Sequence, residues 1–191
     1  MSRIPTREEA LLLFKKYNKS DSLFKHALSV EGVMRYMAEK HNEDADIWGI
    51  IGLIHDLDYE MFPDQHCKKA EEILTEEDWP DDLIRAVMSH GYGIVTDIEP
   101  ITLMERSLYA IDELTGLVAT SALVRPTKSV LDIGVKSVKK KWNDKRFAAG
   151  VDRSVIEDGA RRLNVTIEEL IDDCINGMRD VAEEIGLKGS A

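Results

Sequence analysis

Five histidines occur in the 191 residues, at positions 26, 41, 55, 66 and 90, and one of them stands beside an aspartate in "GIIGLIHDLDYE" (residues 49–60). That stretch runs apolar for six positions and then presents His55 and Asp56 as adjacent imidazole and carboxylate. Both groups carry protons and ligate divalent metals, so the placement of the other His and Asp residues decides what the pair can do. His26 falls on an apolar stripe with Leu23, Ala27, Val30, Val33, Met34 and Met37 at three- and four-residue intervals. His66 is expected to open a later helix and His90 to close the one after it. Asp112 lies among Leu108, Ile111 and Leu114, where a buried carboxylate is costly unless a partner or a metal satisfies it. A single His on an apolar face is ordinarily a hydrogen-bonded core residue. His26, His55, Asp56, His66, His90 and Asp112 together form a set in which separate helices each supply an inward-facing ligand, as metal sites in helical cores are built. Imidazole and carboxylate without thiolate suit Mn, Fe, Ni, Zn or Mg rather than a structural zinc cross-link.

The elements that must carry these residues read as helices. Thr6 with Glu9 forms a capping box before Leu11, Leu12, Leu13 and Phe14, and Thr166 with Glu169 forms a second before a helix from Ile167 to about Ile185. "SLFKHALSVEGVMRYMAEKH" (22–41) is one long amphipathic helix. "DADIWGIIGLIHD" (44–56), acidic at its start and apolar nearly all round, is the expected central buried helix. "DQHCKKAEEILTEE" (64–77) and "PDDLIRAVMSHG" (80–91) follow as shorter helices, the second with Pro80 at its first position and Gly91 at its end. A long helix over 99–124 ends before Pro126, and further helical stretches occupy 130–142 and 152–164. No alternating strand pattern, internal repeat or low-complexity linker occurs. The expectation is an all-α protein, residues 1–191 forming a single compact domain, with the metal-binding core over 20–125 and a C-terminal helical segment over 126–191.

The order His26, then the pair His55-Asp56, then Asp112 resembles the H…HD…D pattern of the HD-domain metal-dependent phosphohydrolase superfamily, an all-α fold. With His66 and His90 the resemblance extends to the H…HD…H…H…D variant, which binds two metals. It implies that Asp56 bridges the metals, that His26, His55 and Asp112 complete one site, and that His66 and His90 serve the other. Two cations about 3.5–4 Å apart lower the pKa of a bridging water into the neutral range and clamp an oxygen of the electrophile. The implied function is hydrolysis of a small phosphate mono- or diester, with nucleotides among the candidates. The same ligand set also resembles that of HD-fold di-iron oxygenases, and a third reading is a non-catalytic nucleotide-sensing module. Many members follow their His-Asp pair with Gly-Lys, whereas this chain continues with Leu57 and Asp58.

The surroundings of the set narrow the partners. The segment 124–147 is basic within an acidic chain, with Arg125, Lys128, Lys136, Lys139, Lys140, Lys141, Lys145 and Arg146. Lys136 and Lys140, with Lys139 adjoining, would share a helix face. Together with Arg125 they read either as a phosphate-binding rim over the cleft or as a solvated face. Trp142 and Phe147 are expected to pack, and Tyr59 and Tyr92 to line the pocket. Cys67, about 100° round a helix from His66, is expected to pack rather than ligate. No GxGxxG or GxxxxGK[ST] loop is present, so any nucleotide is held without a P-loop or Rossmann turn. A formal net charge of -11 argues against general binding of nucleic acid or anionic membranes. Two cysteines with no CxxC pairing, no apolar leader and no long apolar span fit a cytoplasmic protein.

Overall fold

Side-chain caps set where the helices begin. Thr6, Thr102 and Thr166 each accept from the N–H three residues on, and the glutamates there, Glu9, Glu105 and Glu169, return to the threonine N–H. The box at Thr102 starts the long helix at Leu103, four residues later than the amphipathic pattern suggests. Asp44 accepts from the N–H groups of Asp46 and Ile47 in the same way.

The structure, a computed structural model, describes residues 3–144 and 146–189. These form α1 (Arg7–Tyr17), α2 (Asp21–His41), α3 (Ala45–Ile54), α4 (Lys68–Glu76), α5 (Asp81–Ser89), α6 (Leu103–Leu123), α7 (Val135–Trp142), α8 (Arg153–Leu163) and α9 (Ile167–Asp180). The fold is all-α: the described residues contain no strand, only one bridged pair, Tyr92 with Thr96. No helix among them is long and apolar enough to cross a membrane. Pro80 caps α5 rather than opening it, and α9 ends at Asp180 rather than near Ile185.

One expected helix is broken where it matters. Residues 64–77 do not run continuously: a short 3₁₀ turn spans Pro63–Gln65, His66 and Cys67 are irregular, and α4 begins at Lys68. Cys67 takes φ 68° and ψ -53° and offers α4 no side-chain cap. The cap comes from outside, since Asp58 Oδ2 accepts from Ala70 N–H at 2.8 Å.

α3 is the centre, buried from Trp48 through Ile54, and it packs against α1, α2 and α5. α6 packs against α2, α5, α7, α8 and α9. Glycines bring the site-bearing helices into backbone contact. A Cβ on Gly52 of α3 would lie 3.0 Å from the Glu31 nitrogen of α2, and one on Gly159 of α8 would lie 2.5 Å from the Ala110 Cα of α6. Interdigitated cores transmit small displacements, so α2, α3 and α6 hold their polar side chains in fixed relation.

Candidate metal centre

The six predicted residues arrive from five places. His26 projects from α2, His55 and Asp56 follow the last turn of α3, His66 sits in the break before α4, His90 follows α5, and Asp112 lies on α6. Five of them line a cleft of about 520 Å³, and His55 is fully buried against His26. His26 Nε2 and His55 Nε2 are 3.2 Å apart, and Asp112 Oδ1 lies 3.0 Å from the first and 3.3 Å from the second. On the other side, His66 Nε2 and His90 Nε2 are 3.1 Å apart. Asp56 stands between the two groups and divides its oxygens. Oδ2 is 3.6 Å from His26 Nε2 and 3.5 Å from His55 Nε2, while Oδ1 is 3.5 Å from His66 Nε2 and 3.7 Å from His90 Nε2.

The outer nitrogens decide what the inner ones can do. His55 Nδ1–H donates to the Gly52 carbonyl at 2.8 Å, and His90 Nδ1–H donates to the Val87 carbonyl at 2.5 Å. His66 Nδ1–H donates to Asp58 Oδ1 at 2.8 Å. The Thr115 hydroxyl donates its proton to the Asp112 carbonyl at 2.7 Å, so its lone pair faces His26 Nδ1–H at 3.3 Å. In the neutral imidazoles every Nε2 therefore directs a lone pair inward, against another lone pair and against carboxylate oxygens. Such an assembly of acceptors is repulsive unless protons or a metal cation lie among them. The donor set fits one: His26, His55 and Asp112 form one group, His66, Cys67 and His90 another, with the ligand atoms of each group within 4.8 Å of one another.

The field of the site favours positive charge on or between the imidazoles and negative charge on the carboxylates. Burial pushes the Asp56 carboxyl up but is outweighed by His55, His90 and His26, which hold it well below the usual carboxylate range. Asp112 is likewise depressed, its burial overcome by His55 and His26. Burial lowers the His66 imidazole, yet the bond to Asp58 and the nearby Cys67 push it up to about 9. His26 and His90 are raised for similar reasons, against burial, by Asp112 and Asp56 in one case and by Cys67 and Asp56 in the other. The carboxylates are thus kept ionised and the imidazoles sit in a field that draws positive charge.

The basic residues go elsewhere. Arg125, Lys136, Lys139 and Lys140 are not among the residues lining the cleft. Arg125 Nε pairs with Asp132 at 3.0 Å, Lys139 Nζ pairs with Glu168 at 2.8 Å, and Lys136 and Lys140 are exposed. Lys145 lies outside the described residues. The C-terminal segment instead gives the wall Gly150, Val151 and Val155. Tyr59 lines the cleft; Tyr92 does not, and packs on Tyr109 with Arg162 over its ring.

Cys67 corrects an expectation. It is not on a helix, so the 100° separation from His66 does not apply, and its buried sulfur lies 3.9 Å from His90 Nε2. Burial raises its thiol, but His90 and His66 lower it to about 6. Three further residues were not singled out from the sequence as contributors to the site: Asp58, which orients His66; Thr115, which orients His26; and Glu113, which lines the cleft. Burial and the adjacent Asp112 push the Glu113 carboxyl up to about 7. The available signal was proximity, since Asp58 follows Asp56 by two residues and Glu113 follows Asp112 directly.

No solved structure matches the chain. The family model described as HD domain matches residues 23–117, a stretch that contains all six converging residues. On that match, the chain belongs to the HD-domain superfamily of metal-dependent phosphohydrolases.

Proposed function

We propose that this chain hydrolyses a small phosphate mono- or diester, using one or two divalent transition metals held by His26, His55, Asp56, His66, His90 and Asp112. The observation that carries the reading is the commitment of all four Nδ1 groups outward, which leaves four Nε2 lone pairs and two carboxylates facing one another. Divalent ions at such a site lower the pKa of water toward neutrality and offset charge on a phosphoryl oxygen. Asp56, with one oxygen toward each group, ties the two halves together.

The wall of the cleft bears on the substrate. Leu23, Tyr59, Pro63, Ile94, Val95 and Val155 line it, and no lysine or arginine is among the described lining residues. Glu113 is the acidic residue there beyond the ligands. Side chains therefore offer no charge to match additional phosphates, which favours a substrate with one phosphate and an apolar or neutral body. The volume of about 520 Å³ is of the size used for small-molecule ligands and accommodates a nucleoside monophosphate. A polymer of phosphates is disfavoured by the wall and by the formal net charge of -11.

The test is phosphate release from a panel of phosphate esters by protein reconstituted with Mn, Fe, Ni, Zn or Mg, with metal content measured alongside. Asp56→Ala should lower kcat/KM by at least about 100-fold, since loss of even an outer partner of a ligand costs 10–100-fold. Its helical circular dichroism should be retained. Full turnover in that variant would overturn the reading. Dioxygen uptake without phosphate release would transfer the site to the oxygenases, and substrate binding without turnover under any metal would make it a sensing module.

A further inference from the structure

The group around His66 and His90 has a member that the proposed function does not use. We propose that the Cys67 sulfur is a direct metal ligand, as thiolate, completing a four-ligand set with His66, His90 and Asp56. The two metal positions would then differ in kind: nitrogen and oxygen at His26, His55, Asp56 and Asp112, but sulfur as well at the second. This rests on the metal reading above and adds to it a ligand and a selectivity.

Four observations converge on the assignment. The first is spacing. Around a tetrahedral ion with metal–nitrogen bonds of about 2.0 Å and metal–sulfur bonds of about 2.3 Å, nitrogens lie about 3.3 Å apart and sulfur about 3.5 Å from nitrogen. Here the Nε2 atoms of His66 and His90 are 3.1 Å apart, and Cys67 Sγ is 3.9 Å from His90 Nε2. Asp56 Oδ1 at 3.5 and 3.7 Å from those nitrogens supplies the fourth corner.

The second observation is the backbone. Cys67 is a non-glycine residue at φ 68° and ψ -53°, close to the rare and strained γ-turn geometry. Its effect is that consecutive side chains, His66 and Cys67, both approach His90. On a continuous helix they would diverge by about 100°. The third is space. A Cβ at Gly91 would lie 2.8 Å from Cys67 Sγ, so the residue after His90 leaves room for the sulfur beside the imidazole. The fourth is contrast within the chain. The other cysteine, Cys174, is buried on α9 with its sulfur 4.0 Å from the Met178 sulfur, an apolar environment, whereas Cys67 is equally buried but faces two imidazoles.

The consequence is metal choice. Thiolate ligation favours zinc, cobalt or iron over magnesium and manganese. On binding, the thiol proton is released to solvent as the metal–sulfur bond forms, with no change of oxidation state.

Metal-free full-length protein titrated anaerobically with Co(II) tests the assignment. Two equivalents should bind, and one of them should bring a near-ultraviolet sulfur-to-cobalt charge-transfer band. The band should persist in Cys174→Ala and vanish in Cys67→Ala, and since the chain has two cysteines its origin is unambiguous. Cys67→Ala should also hold the second equivalent at least about 100-fold more weakly in chelator competition. Two equivalents bound by the wild type without the band would overturn the Cys67 assignment and leave the metal reading standing. No bound cobalt would overturn both. If Cys67→Ala fails to fold, the wild-type and Cys174→Ala spectra decide, because a band in both can come from Cys67 alone.

Discussion

Asp58→Asn isolates the group that orients a ligand from the ligand itself. Asp58 is fully buried, and each of its oxygens takes one donor at 2.8 Å, His66 Nδ1–H and Ala70 N–H. Asparagine has the same shape but one oxygen replaced by an NH2 group, so one of the two donors must face another donor. If the amide oxygen stays with Ala70, the NH2 faces His66 Nδ1, which can then only accept. The proton moves to Nε2, the nitrogen that would hold the metal. If the oxygen stays with His66, the first turn of α4 loses its cap. Either way a buried donor loses a charge-assisted bond, at a cost of about 1–3 kcal/mol. At about 2–4 °C per kcal/mol for a chain of this size, Tm falls by roughly 2–12 °C. The His66–His90 position should bind metal about 10–100-fold more weakly, the range found when the outer partner of a histidine ligand is removed. The position at His26, His55 and Asp112 should be unaffected, because its orienting groups are Gly52 and Thr115. The assay is chelator competition with both equivalents resolved, alongside urea unfolding of the metal-free protein. Retention of both equivalents at wild-type affinity would show that Asp58 does not set the His66 tautomer.

Gly159→Ala sets two effects of opposite sign against each other: helix propensity gains about 1 kcal/mol, but the new Cβ would lie 2.5 Å from the Ala110 Cα, more than 1 Å inside ordinary carbon–carbon contact at about 3.5–4.0 Å. Overpacking costs about 1–3 kcal/mol, so Tm should fall, and a rise would refute the close crossing of α8 on α6. The acid limb of stability should depend on Glu105, which is buried and accepts from Arg85 and from the N–H groups of Ile101 and Thr102. Burial, which raises its pKa, is outweighed by Arg85 and those N–H groups, so the carboxyl lies below its ordinary 4.5. A depressed carboxyl stabilises above the unfolded pKa and loses that contribution as pH falls through the folded one; unfolding free energy should therefore drop below about pH 4.5, less steeply in Glu105→Gln, and equal slopes in the two proteins would refute the assignment.

The converging residues were legible in the sequence because their types are chemically expensive where they occur. Asp112 on an apolar face of α6 and His26 on the inner stripe of α2 have no reason to be there without a partner, and the caps at Thr6, Asp44 and Thr166 mark helix starts by local hydrogen bonding alone. The basic run at 124–147 was not readable in the same way: a charge run states its composition but not its direction, and direction is set by how α7 packs. The break at His66 and Cys67 was hidden because "HCKKAEEIL" has helical composition throughout. What overrides it is a remote carboxylate, Asp58, which caps α4 at Ala70 and binds His66 Nδ1–H together. Residue type therefore predicts which side chains can ligate, whereas which nitrogen faces the cleft follows from groups with no type-based signal. Two of these are the Gly52 and Val87 carbonyls, which any residue at those positions would present. Orientation is carried by the backbone path, so a sequence reading can name His55 and His90 as candidate ligands without access to the bonds that turn Nε2 inward in each.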